Sequence, residues 1–454
     1  VRVLHAIHDF LPRHAAGSEI YAHDLCRALM ARGHEVHVLC AEYDPSRPHG
    51  SLEWRFLDHL PVTELINNWH VSSFTESYRS AHLTGQIEHV LRAVQPDVVH
   101  VHNLLNLSFD LPAVARSRGM PSVATVHEYV LLCPSGGQRV HLAEEHVCHD
   151  IDPDRCARCF VQSPFHSQMV LGRVSRAVSP SLVGRAATVL RRRFPGLVAR
   201  AGRAAAGRAP RPEVTVDDVR QRLAAAREVF ETVELWVAPS PALGAELTRF
   251  GLPASRLEVS DYGFVPFERA PRRPRGERLR IGFVGTLVWH KGAHVLIEAV
   301  RQLDPGSIEV HLHGSLDTFP DYAARLQTAA RGLPVHFAGG FDRTAVAGVY
   351  AGFDVVAICS LWPENSPLVI HEAFMAGLPV VGSRMGGIVD LVDDDVNGLL
   401  YDAFAADDLA IALRRLVDEP ELLERLAAAV PGVKSIDEDA AEWEDRYARV
   451  LRQA

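Results

Sequence analysis

Short runs of β-branched and apolar residues alternate with amphipathic stretches along this chain, and the alternation occurs twice. "RVLHAI" and "EVHVLC" have strand character. Between them "SEIYAHDLCRALMARG" has helical spacing, with Ile20, Leu25, Leu29 and Met30 on one side and Gly33 as its stop. "DVVHVHNL", "SVATVHEYV", "VELWVAPS" and "RLEVSDYGF" continue the series. It restarts with "LRIGFVGTL", "IEVHLHG", "PVHFAGG", "DVVAICS" and "PVVGS". Strand–helix–strand alternation implies parallel sheets joined by crossover helices. "VPFERAPRRPRGERLR", rich in Pro and Arg and without an apolar face, separates the two series and reads as a linker. The expected fold is therefore α/β, with two Rossmann-like doubly wound domains facing a cleft. The first spans 1–268 and the second 276–436. An amphipathic helix over 437–454 is expected to cap the second. Ligands of such sheets bind at the carboxyl ends of the strands.

The chain has 454 residues, enough for two large cores, and a net charge of −9, which argues against a general nucleic-acid binder. No apolar run reaches the roughly 18 residues that span a bilayer. The opening "VRVLHAIHDF" reads as a buried strand and not a signal peptide, so the sequence expectation is a cytoplasmic protein.

The segment "WPENSPLVIHEAFMAGLPVVGS" constrains function most. Ser366 suits a helix N-cap, Pro367 suits the first turn, and Gly377 followed by Pro379 ends the helix. A helix starting at the carboxyl end of "DVVAICS" turns its free N–H groups into the cleft, which makes an anion site for a diphosphate. Glu364 and Glu372 flank that start. Carboxylates beside an anion site make sense if they hold hydroxyl groups of the same ligand. A nucleotide sugar, with a central diphosphate and a hydroxylated ring at each end, meets both demands. The plain alternative is a loop charge at 364 and a surface helix charge at 372.

The same block resembles the E-x7-E signature of the retaining glycosyltransferases of family four, whose fold is the two-domain GT-B. "AAGSEIYAHDLCRALMARGHEVHVL", "PDVVHVH", "PSVATVHEY", "IGFVGTLVWHKGAHVLIEAV" and "GGIVDLVDDDVNGLLY" resemble further segments of that family. The resemblance implies a retaining transfer of a sugar from a nucleoside-diphosphate sugar to a hydroxyl acceptor: a glycan, a lipid-linked acceptor or a small metabolite. Glu364 would hold donor-sugar hydroxyls and Glu372 the nucleotide ribose. The backbone at Ser366, Pro367, Leu368 and Val369, with Gly285, Thr286 and Lys291, would take the diphosphate. His127 would face the reacting centre, and Gly17 would let the backbone approach the phosphate or the acceptor. No cofactor is expected at the active site. "DDD" at Asp393–Asp395 precedes a turn pattern and reads as a solvated loop. The chain departs from the family at Thr286, where an Arg is common; Arg13, His290 or a mobile arginine would have to supply that charge. Ala16 stands where a second glycine is common and narrows what the loop accepts. Two other readings use the same architecture: a nucleotide-sugar epimerase and a catalytically silent sugar-nucleotide binder.

Two segments stand apart. "CPSGGQRVHLAEEHVCHDIDPDRCARC" gathers Cys133, Cys148, Cys156 and Cys159, and a structural zinc held by four thiolates is one reading. Disulfides, free thiols, or ligation by His146 and His149 are the others. Cys26, Cys40 and Cys359 read as buried small hydrophobes. Residues 165–228 are basic and Ala-rich, either a solvated helical insertion or a surface for an anionic acceptor or the headgroups of a membrane.

Overall fold

The computed structural model describes residues 1–175, 213–271, 274 and 276–453. The strands of the first domain are β1 (Arg2–Ile7), β2 (Glu35–Glu42), β3 (Leu52–Leu57), β4 (Leu60–Ile66), β5 (Val98–Val101), β6 (Ser122–Thr125), β7 (Val140–His141), β8 (His146–Val147), β9 (Leu235–Ala238) and β10 (Leu257–Val259). Eight of them form one sheet in the order β10-β9-β6-β5-β1-β2-β4-β3, while β7 and β8 pair separately. Every pairing in the large sheet is parallel except β3 with β4. The central strands β5, β6 and β9 are buried along their whole length, as parallel strands covered on both faces must be.

The antiparallel edge was not foreseen. Asp58 and His59 both take positive φ, 49° and 70°, and form a two-residue turn that folds β3 back on β4. The outer strand leaves Phe56 74% exposed, so strand alternation there is half solvated.

The second domain holds β11 (Leu279–Val284), β12 (Ile308–His313), β13 (Val335–Phe337), β14 (Val355–Ile358), β15 (Val380–Ser383) and β16 (Gly398–Tyr401), in the order β13-β12-β11-β14-β15-β16, all parallel. The sheets divide between β10 and β11, where the Pro- and Arg-rich linker lies. Strand order reverses beside β1 in the first sheet and beside β11 in the second. These two switch points face each other across the cleft.

The C-terminal helix, Ile436–Leu451, corrects the sequence expectation. It packs on the first domain, not the second. Ile436, Ala440, Trp443, Tyr447 and Val450 join the core built on Val3, Ile7, Leu25 and Val38. Tyr21 donates to Asp439 (2.8 Å), and Trp443 Nε1 donates to the Tyr21 hydroxyl (3.2 Å). The apolar stripe that marks this helix as amphipathic carries no record of which domain receives it.

The basic stretch over 165–228 is also partly redrawn. Its described ends belong to helices Pro164–Ser175 and Val216–Thr232, which bury Met169, Val219, Ala225 and Ala226 in the first core. These two ends are therefore packed and not solvated helices. The arginines from Arg176 to Arg211 lie outside the described residues, and with them the expected contact with anionic or membrane surfaces. No helix among the described residues is long and apolar enough to cross a membrane.

Candidate active site

The loop after β14 and the helix Leu368–Met375 form the second-domain wall of the cleft. The helix starts one position later than Ser366 suggested. Pro367 takes the N-cap position with extended backbone (φ −66°, ψ 117°), and no side chain caps the helix. The Ser366 hydroxyl is drawn away: it donates to Asp261 (2.7 Å) and accepts from His371 Nε2 (2.8 Å). The first N–H groups, at Leu368 and Val369, are therefore left for the cleft, whose lining includes both residues. Gly387 makes the approach to this loop possible. Its N–H donates to the Glu364 carbonyl (2.6 Å), and a Cβ there would lie 1.8 Å from the Asn365 carbonyl oxygen.

Glu364 is buried, and its Oε1 lies 2.5 Å from Lys291 Nζ. Ser360 donates to the same oxygen. Lys291 follows β11 and sits 5.4 Å from the Trp362 ring centroid. The two charged groups thus meet at the switch point of the second sheet. Glu372 is half-buried elsewhere on the helix, where its carboxylate accepts from Tyr350 (2.6 Å) and loss of solvent raises its pKa. It does not line the same space as Glu364. Gly285 and Thr286 also stand outside that lining, with Thr286 exposed past the end of β11. Neither candidate for the missing charge is free. Arg13 is engaged by Glu42 (2.7 Å) and by Glu64. His290 is buried, which lowers its pKa to about 3 and leaves it neutral.

The first domain supplies the opposite wall. His127, two residues past β6, lines the cleft with Glu128, and its carbonyl accepts from Asn365 Nδ2 of the second domain. Tyr262 stacks on its ring (5.2 Å, 13°) and donates to the Val126 carbonyl (3.1 Å). The loop that follows is held from behind by Arg222, which is buried and donates to the carbonyls of Leu131 (2.9 Å) and Val130. Gly17 closes the gap between the domains. A Cβ on it would lie 2.7 Å from Leu368 Cδ1, so its close approach is to the other domain's helix start. The cleft between these walls has a volume of about 260 Å³, close to the lower end of the range for small-molecule sites.

Three residues of the cleft were missed. Glu128 adjoins His127 in "HEY", and that adjacency was the available signal. Burial pushes its carboxyl up to about 8, with Glu19 and Asp9 adding to the rise and Lys291 opposing it. Asn365 and Tyr262 carry no local signal, because their contacts come from distant parts of the chain.

Cys133, Cys148, Cys156 and Cys159 are brought into one neighbourhood. The β7–β8 hairpin returns Cys148, and Cys156 and Cys159 sit on helix Pro153–Gln162, capped by Asp152. Burial raises the Cys156 thiol to about 12, and the other three thiols add to the effect. Among the described residues, the trio of metal-capable side chains with ligand atoms within 4.8 Å of one another is His5, His100 and His102, so the thiols are spaced more widely. Cys26, Cys40 and Cys359 are buried, as expected. The aspartates at 393–395 form a turn in which Asp394 pairs with Arg384 (2.5 Å) and Asp395 with Arg415 (3.0 Å).

Comparison with known proteins decides the family. Residues 265–431 match the family described as "Glycosyl transferases group 1", and residues 15–193 match "Glycosyltransferase Family 4". The chain belongs to the group 1, family 4 glycosyltransferases. A D-inositol 3-phosphate glycosyltransferase of Corynebacterium jeikeium is 36% identical over 213 residues, 43% of this chain and 48% of that protein. This glycosyltransferase-family chain spans about half the length of the curated relatives it matches. Among solved structures, a sucrose-phosphate synthase from Thermosynechococcus elongatus aligns with a TM-score of 0.66 at 16% identity, covering 100% of both chains. Anabaena HepE in complex with UDP-glucose aligns at 0.60 and 17%, again covering 100% of both. The shared fold is GT-B.

Proposed function

We propose that this chain transfers a sugar, with retention, from a nucleoside-diphosphate sugar to a hydroxyl acceptor. The observation that carries the reading is the Lys291–Glu364 contact beside an uncapped helix start, opposite His127. A diphosphate settles on the N–H groups of Leu368 and Val369 and draws Lys291 to it. Each such charge-assisted bond contributes about 1.5–3 kcal/mol. Glu364, released from Lys291, accepts hydrogen bonds from the donor sugar. Glu372 takes the ribose. As the glycosidic bond breaks, negative charge grows on the leaving diphosphate, where fixed donors stabilise it most. The leaving phosphate takes the acceptor proton, and His127 orients the sugar. The two glutamates are occupied by hydroxyls and do not act as the acid–base pair of a glycosidase. Glu128, neutral at pH 7, offers the acceptor a donor and an acceptor at once. The relatives named for inositol phosphate and the neighbour solved with UDP-glucose are consistent with a nucleotide-sugar donor.

The test is incubation with several labelled nucleotide sugars. Transfer or slow donor hydrolysis supports the reading. A changed sugar without cleavage would point to an epimerase, and binding alone to a silent binder. His127→Ala should retain donor binding and lose turnover.

We also propose that the four thiols of residues 133–159 hold a structural zinc. The four thiols are close enough for Cys133, Cys148 and Cys159 to raise the Cys156 thiol, and a metal would draw them in as thiolates. Its role would be to order the loop that follows His127.

A further inference from the structure

Three imidazoles run in single file from the core of the first sheet to the cleft. His5 lies in β1, His102 just past β5 and His127 past β6. His5 Nδ1 is 2.9 Å from His102 Nε2, and His102 Nδ1 is 3.0 Å from His127 Nε2. All three are buried.

A metal does not fit this file. Both nitrogens of His102 are spent within it. Those of His100, the third member of the close trio, are spent on the Tyr447 hydroxyl (2.7 Å) and Thr125 Oγ1 (2.8 Å). Only His5 Nε2 has no partner. The file is a hydrogen-bonded chain, and its proton positions can be worked out.

Burial keeps the imidazoles neutral, lowering His5 and His127 to about 3, so each carries one N–H. Two arrangements satisfy both contacts. In one, every proton points toward the cleft: His5 Nδ1–H donates to His102, His102 Nδ1–H donates to His127 Nε2, and His127 keeps its proton on Nδ1. The cost is an unshared lone pair at His5 Nε2. In the other, every proton points inward and the core is left with an unpartnered N–H at His5. Buried orphan donors are rarer than under-used acceptors, which selects the first arrangement. His127 Nδ1 has no protein partner and is not among the buried unpartnered atoms, so it is the end of the file left accessible, on a residue that lines the cleft.

We infer that His102 is a positioning residue: it holds His127 in the Nδ1–H tautomer and aims that N–H at the ligand. His127 is then a hydrogen-bond donor to the transferred sugar and not a base. The file also ends at His5 without an exit, so it orients and does not conduct protons. The kinetic part of this inference rests on the transferase reading; the tautomer does not.

The experiment has two arms. Spectra of the protein labelled with ¹⁵N-histidine should show His127 protonated on Nδ1, with Nε2 bare and hydrogen-bonded. Protonation on Nε2 would overturn the inference, whether or not the protein transfers sugar. In kinetics, His102→Leu should lower kcat about tenfold, the scale of one lost hydrogen bond, with donor KM nearly unchanged. His102→Asn, whose amide can donate to His127 Nε2, should recover most of that loss. A His102→Leu protein with wild-type donor binding and wild-type kcat would contradict the positioning role.

Discussion

Lys291 and Glu364, separated by 73 positions in sequence, neutralise each other at 2.5 Å on the floor of the cleft. In the ligand-free protein the two groups proposed to hold opposite ends of the donor hold each other. Burying Glu364 without a partner would be costly, so the pair also keeps the loop in place. Lys291→Ala should weaken nucleoside-diphosphate binding about 10- to 100-fold, as expected for one charge-assisted bond. Glu364→Gln should leave nucleoside-diphosphate affinity within a few fold, while the advantage of the sugar-bearing nucleotide disappears. Calorimetry with the diphosphate and the sugar nucleotide separates these effects. Equal loss for both ligands in Glu364→Gln would contradict the assigned division of labour.

Glu372 is the half-buried acid of the pair and answers to Tyr350. Glu372→Ala should weaken binding of nucleotides that carry ribose. Tyr350→Phe, which removes only the bond that orients the carboxylate, should cost about 2- to 10-fold. Comparing nucleoside diphosphates with inorganic pyrophosphate reads this directly: pyrophosphate affinity should not change in either variant.

Glu128 makes donor binding depend on pH. Its carboxyl is held near 8, above the ordinary range, so it is neutral at pH 7 and ionises as pH rises through that value. The resulting carboxylate would repel a diphosphate. Donor affinity should therefore be flat up to about pH 8 and fall above it by at most about tenfold per unit, the limit for one linked proton. Glu128→Gln should flatten the curve above pH 8. A wild-type profile with no break there would contradict the assignment.

The thiol cluster predicts metal content. Protein purified without chelator should release one zinc per chain when its thiols are titrated with a mercurial. Cys156→Ser should lose the metal and loosen the loop, read as faster proteolysis between 133 and 159. Zinc-free protein with four rapidly reacting thiols would contradict a structural zinc.

Most of the architecture was legible because parallel sheets write themselves locally. Each buried strand is a short apolar run, and each crossover helix has its own period and stop. The acids of "ENSPLVIHE" were legible for the same reason, since a helix start and its flanking charges are neighbours in sequence. What escaped was contact at long range. The Asn365 amide meets the His127 carbonyl across 238 positions, and Tyr21 meets Asp439 across 418. The apolar stripe of the C-terminal helix is local, but the domain that receives it is set by residues such as Tyr21, far away in sequence. Ser366 looked like a cap because its side chain could serve, but Asp261 and His371 claim it first. His102 is one of two histidines in "DVVHVHNL", and only the sheet order places it beside His127.

The central claim is that a pyrophosphate sits at the start of the helix opening after Pro367. A structure of the protein with a sugar nucleotide tests it most directly. The account predicts phosphate oxygens within hydrogen-bond distance of the Leu368 and Val369 amides and of Lys291 Nζ, with the Lys291–Glu364 contact broken. A pyrophosphate bound elsewhere, with that contact intact, would contradict it.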